Sequence, residues 1–117
     1  MKATRRGVLA GALAAPALAG VPRMAWARGE NTLLVHDPAL AAGRRLAQAH
    51  HGEVLAITGD RIRFARTLFE RRPSLVIGVS RHADALLIEE VGREAGYVPV
   101  GVPGSLGPSG WALVPRT

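Results

Sequence analysis

Between residues 32 and 95 the sequence switches three times from a strand-length apolar run to a helix-length amphipathic segment. A chain with that alternation belongs to the α/β class, because each apolar run needs cover and each amphipathic segment has one face to cover it with. The first unit is Thr32-Leu33-Leu34-Val35-His36, followed by Asp37 as helix cap and Pro38 at the first helical position. Its helix runs from Ala39 to His50, with Leu40, Gly43, Leu46 and Ala47 on one face and Arg44, Arg45 and Gln48 on the other; Gly52 ends it. The second unit is Val54 to Ile57, a turn and cap at Thr58-Gly59-Asp60, and a helix from Arg61 to Arg71 halted by Pro73. Ile62, Ala65, Leu68 and Phe69 form its apolar stripe, opposed by Arg63, Arg66 and Glu70. The third is Ser74 to Val79, apolar enough to be covered on both faces, then a helix capped by Ser80 and closed by Gly96. The inward positions of that helix are Ala83 or Asp84, Leu87, Ile88, Val91 and Ala95.

A fourth strand is predicted over Tyr97–Val102, at an edge because Pro99 cannot donate to a ladder on both sides. The segment from Pro103 to Pro108 is rich in turn residues, and Trp111 to Val114 is long enough for a short fifth strand. Successive strand–helix units predict parallel neighbours with helices on both faces of the sheet. The expected fold is a small three-layer Rossmann-like or flavodoxin-like domain with a mostly parallel sheet of four to five strands.

The first 27 residues follow different rules. Lys2, Arg5 and Arg6 precede an apolar run from Gly7 to Val21, and Ala25-Trp26-Ala27 supplies the small-x-small pattern that signal peptidases cut. The run is shorter than the roughly 20 residues needed to span a bilayer, and its glycines weaken it further as a helix. Thr4-Arg5-Arg6-Gly7-Val8-Leu9 resembles the twin-arginine (Tat) signal family, in which paired arginines precede a mildly apolar segment. It departs from that pattern at Val8, where the family prefers Phe, and at Ala10, where Lys is common. The resemblance covers the tag alone. It implies export of a folded protein to the periplasm through the Tat machinery, cleavage after Ala27, and only transient contact with the membrane. A single domain over residues 28–117, with a Gly/Pro-rich C-terminal tail, is expected to remain.

Charge and cysteine content exclude several functions for that domain. The whole chain carries a net charge of +6, but four of its fifteen basic residues lie in the tag. Eleven arginines then face nine acids and alternate with them along helices, without the concentrated patch of a nucleic-acid binder. With no cysteine, disulfides, thiolate zinc sites, iron–sulfur clusters and covalently attached haem are excluded. No G-x-G-x-x-G occurs at a strand-to-helix turn, so no cofactor is indicated by motif.

In parallel α/β sheets ligands bind beyond the carboxyl ends of the strands. That rule selects His36 and Asp37, Thr58, Gly59 and Asp60, and Ser80, Arg81 and His82 as candidate ligand-binding residues. Helix N-termini pointing the same way favour a small anion, which Arg81 would pair. Asp37, Asp60 and Ser80 are also where caps belong, and capping alone accounts for them. No catalytic residue is assigned. Gly78-Val79-Ser80-Arg81-His82 departs from the G-x-S-x-G elbow because His82 stands at the second glycine, and Ser80, His82 and Asp84 on one helix do not aim a base at a nucleophile. His36, Asp37 and His82 are a conceivable metal set lacking any ligand-spacing motif, while His50 and His51 diverge by about 100° on a helix. Trp111 is expected to fold back over an apolar helix face, the alternative being an interface anchor. The functional expectation is a small periplasmic binding or accessory protein, such as a partner subunit of a larger exported enzyme. The alternatives are a small-anion-binding module and a small enzyme working through strand-end His and Asp residues.

Overall fold

The computed structural model describes residues 31–116. Arg5 and Arg6 of the expected export signal, and Ala25 and Ala27 of the cleavage site, lie outside the described residues. The elements in chain order are β1 (Thr32–His36), α1 (Ala41–Ala49), β2 (Glu53–Ala56), α2 (Arg61–Glu70), β3 (Leu75–Val79), α3 (His82–Glu94), β4 (Tyr97–Val100), a 3-10 turn (Gly104–Leu106) and β5 (Gly110–Pro115). Among the described residues no helix is long and apolar enough to cross a membrane.

The five strands form one sheet in the order β2-β1-β3-β5-β4. β1 pairs in parallel with β2 (Val35 opposite Leu55) and with β3 (Val35 opposite Gly78). β5 is antiparallel to both its neighbours, with Trp111 opposite Gly78 on β3 and Val114 opposite Val98 on β4. The sheet is therefore mixed, and mostly rather than wholly parallel. The exception has a simple cause. The link from β4 to β5 contains no crossover helix, and strands joined without one pair antiparallel. β4 lies at an edge, as Pro99 requires, whereas the tail strand β5 lies inside the sheet.

Helices cover both faces. On one, Leu33, Val35, Val76 and Leu113 of the sheet meet Ala65, Leu68 and Phe69 of α2 and Ile88 and Val91 of α3. On the other, Leu34, Ile77 and Ala112 meet Leu46 and Ala47 of α1, with Leu106 of the 3-10 turn beside them. Alternation along β1 sends Leu33 and Val35 one way and Leu34 the other. All five residues of β3 are buried, which is why that strand reads as continuously apolar. Gly43 allows α1 to lie close, because a Cβ there would stand 3.1 Å from the His36 Cβ and 3.6 Å from that of Val79.

Tyr97 joins the second layer to the sheet edge. Its ring is fully buried 4.8 Å from that of Phe69 at an interplanar angle of 50°, and its hydroxyl donates to the Pro73 carbonyl at 2.6 Å. The Arg72 guanidinium lies 5.1 Å from the same ring and donates to the Ala95 carbonyl at 2.7 Å.

Two helix starts differ from the sequence expectation. Asp37 does not cap α1: its Oδ1 accepts from the Ala39 N–H at 2.9 Å, and the Leu40 N–H donates to the Asp37 carbonyl. This local turn uses the carboxylate before the helix begins, leaving Leu40 as an N-cap without a side-chain bond. Ser80 does not cap α3 either, because Arg81 holds that position and the Ser80 hydroxyl is engaged elsewhere. Asp60 does cap α2, accepting from the Arg63 N–H at 3.0 Å. Leu87, expected inward, is 41% exposed; Ile88, Val91 and Gly92 form the buried side of α3 instead.

Candidate functional site at the carboxyl edge of the sheet

From β1 the chain passes to β2 on one side and then to β3 on the other, so the strand order reverses between β1 and β3. The carboxyl ends of those two strands bring together four of the eight candidate residues: His36, Asp37, Ser80 and Arg81. The Asp37 N–H donates to the Val79 carbonyl at 3.0 Å, binding the two strand ends directly. The Asp37 carboxylate is buried, with Oδ1 on the Ala39 N–H and Oδ2 3.6 Å from the Arg81 Nε. Ser80 is 1% exposed; its hydroxyl donates to the Arg81 carbonyl at 3.0 Å and accepts from the Trp111 indole N–H at 2.9 Å. His36 Nδ1 is buried without a hydrogen-bond partner.

The other four stand apart. Thr58, Gly59 and Asp60 form an exposed turn, with Gly59 at φ +65°, a conformation that glycine tolerates. Arg61 anchors this turn, donating to the Gly59 carbonyl at 2.8 Å while its Nε lies 3.2 Å from Asp84 in the first turn of α3. His82 is exposed at the first residue of α3. His36, Asp37 and His82 do not assemble as a metal set: among the described residues no group of three His, Cys, Asp or Glu could hold an ion.

These contacts determine what the edge can bind. An anion at a helix N-terminus needs free N–H groups and unopposed positive potential. Asp60 already occupies the α2 terminus, Asp84 lies in the first turn of α3, and Asp37 faces Arg81. The chain's own carboxylates therefore stand where an external anion would go. The Arg63 backbone N–H holds the Asp60 carboxyl below the ordinary aspartate range. A carboxyl lowered by folding stabilises the domain above its unfolded value, and that contribution is lost as pH falls through the folded one. We expect the melting temperature to fall with acidification across that window and Asp60→Asn, which retains a capping oxygen, to flatten this part of the profile; melting curves against pH measure both.

The contact between Trp111 and Gly78 is the part of this region that the sequence reading does not anticipate. Trp111 folds back, but onto a strand rather than a helix. A Cβ on Gly78 would fall inside the volume of the indole ring, so the missing side chain is what admits it. The available signal was a glycine within the otherwise branched run Leu75-Val76-Ile77-Gly78-Val79, which marks close approach. On the opposite sheet face, an open groove of about 240 Å³ lies between α1 and the 3-10 turn over Val79, with Arg45 its one charged lining residue. His50 ends α1; burial, then the neighbouring His51, lowers its pKa, which favours the neutral ring. No family model, curated protein or solved structure matches the chain.

Proposed function

We propose that this chain is an exported periplasmic accessory protein, carried by a twin-arginine signal and acting by binding a larger exported protein rather than by catalysis. The observation that carries this reading is the inward use of the strand-end polar groups. Asp37 is taken by Ala39 and Arg81, Asp60 by Arg63, and Ser80 by Trp111 and Arg81. Such an edge holds strands and helices together and offers little to a small ligand. The helices on both faces and the order β2-β1-β3 support a flavodoxin-like or Rossmann-like arrangement of the layers, with β5 as an antiparallel departure. A second reading, a small-anion module, draws on Arg81, whose side chain is 67% exposed at the carboxyl end of β3.

Native mass spectrometry on the chain recovered from its own host's periplasm, without overexpression, tests this function. We expect a chain beginning at Arg28 in complex with a larger protein. A bound small molecule lost on Arg81→Ala would favour the anion module, and a chain retaining residues 1–27 would contradict export with cleavage.

A further inference from the structure

α1 is the helix least able to stand alone. It has nine residues, below the roughly 12–15 at which an isolated helix is even marginal in water. Its N-cap, Leu40, makes no side-chain bond, its first turn holds no acid and its last turn no base. α2 and α3 pack against each other on the opposite face, whereas among the described residues α1 has only the 3-10 turn beside it. Its seat on the sheet therefore rests on Leu46 and Ala47, on the close approach at Gly43, and on its C-terminal end.

His50 stands at that end. As C-cap it has extended backbone angles, φ −78° and ψ 136°, so the helix stops there. Its ring hydrogen-bonds the backbone of Thr32, the buried first residue of β1. The other ring nitrogen, Nε2, is buried without a partner. A neutral imidazole suits this place, since it has one N–H to give and its second nitrogen carries no proton. An imidazolium does not, because its second N–H must find an acceptor or water.

The surrounding groups act in the same direction. Burial first, and then the like charge available to His51, hold the His50 pKa below its ordinary value against the opposing pull of the Thr32 bond. On β1, Thr32 itself is uncharged. Glu53, at the start of β2, is paired with Arg71 at the end of α2. Of the arginines on α1, Arg44 donates to the Pro38 carbonyl and Arg45 lines the groove beside the 3-10 turn.

We propose that His50 is an acid-sensitive latch, fastening the C-terminal end of α1 to β1 while its ring is neutral and releasing that end when Nε2 is protonated. The N–H gained at Nε2 is satisfied when the ring swings into water, and the last turn of a short helix moves with it. Leu34 and Ile77 then lose part of the cover that Leu46 and Ala47 give them, and the groove between α1 and the 3-10 turn widens. In the released state the ring titrates near about 6.5, and in the fastened state below that. The released state therefore binds more protons in this window and gains population as pH falls through it.

Amide hydrogen exchange on the purified full chain, corrected for its intrinsic pH dependence and run between about pH 8 and pH 5, tests the latch. We expect the amides of residues 46–52 to open several-fold more often at the acid end. The limit is about tenfold for each unit by which folding lowers the His50 pKa. α2 and β3 should keep their protection. His50→Gln, whose amide still donates to Thr32 but does not titrate, should abolish the response, and His51→Gln should retain it. Four results would overturn the proposal: α1 protection that does not change with pH, an unchanged response in His50→Gln, equal loss of protection in α2 and β3, or a His50 ring that titrates by NMR at or above its ordinary value. None of these measurements depends on export or on a partner, so the latch and the accessory role can fail independently.

Discussion

Gly78→Ala is expected to destabilise the domain by about 3 kcal/mol, the upper part of the range for overpacking a filled interior. The added methyl would meet the Trp111 ring rather than the flexible end of a side chain. The ring has little freedom to withdraw, because its N–H is held by the buried Ser80 hydroxyl and its backbone is laddered to β3. Gly78 also pairs with Val35 on its other side, so β3 cannot shift without disturbing β1. For a domain of this size the change corresponds to a fall in melting temperature of roughly 12–24 °C. Trp111→Ala supplies the control. It destabilises alone, yet in the Trp111→Ala background the Gly78→Ala cost should largely disappear, giving a strong coupling in the double-mutant cycle. Additive effects in chemical denaturation would show that the ring and the glycine do not share this space.

Leu34→Ala is the second large effect, at about 3 kcal/mol from lost burial plus the cavity left behind. Leu34 is fully buried on a strand flanked by β2 and β3, and it is central to the smaller of the two cores. That side is covered by α1 and one 3-10 turn, with few large side chains able to move inward and fill the space. Equilibrium urea unfolding measures the loss; a change below about 1 kcal/mol would mean that the α1 face collapses around the gap. Against a total stability on the order of 5–13 kcal/mol, either substitution removes a large share.

The layers were legible because burial imposes a period. Ile62, Ala65, Leu68 and Phe69 recur at helical spacing, and Leu75 to Val79 are apolar without a break, so α2 and β3 follow from sequence. Caps were less legible, because Asp37, Asp60 and Ser80 have the same local appearance and different tertiary partners. Asp60 turns to its own helix, Asp37 closes a turn first, and Ser80 is drawn to an indole 31 residues away. Leu87 and Ile88 both satisfy a broad apolar stripe and both read as inward; the docking angle of α3 buries Ile88 and leaves Leu87 exposed. The candidate site was half legible. The strand-end rule located His36, Asp37, Ser80 and Arg81 together, but it could not reveal that their hydrogen bonds turn inward. Nothing local in Gly110 to Pro115 indicates that this strand lies between β3 and β4, since that position depends on a pairing made across more than 30 residues.

The internal position of β5 makes the sheet depend on a keystone rather than on an added edge. β4 touches the rest of the sheet only through β5, so the two strands join or leave β3 as one hairpin. Whatever loosens residues 110–115 frees two strands at once. It also uncovers Gly78 and removes the indole from above it, converting the most buried strand of the domain into an open edge.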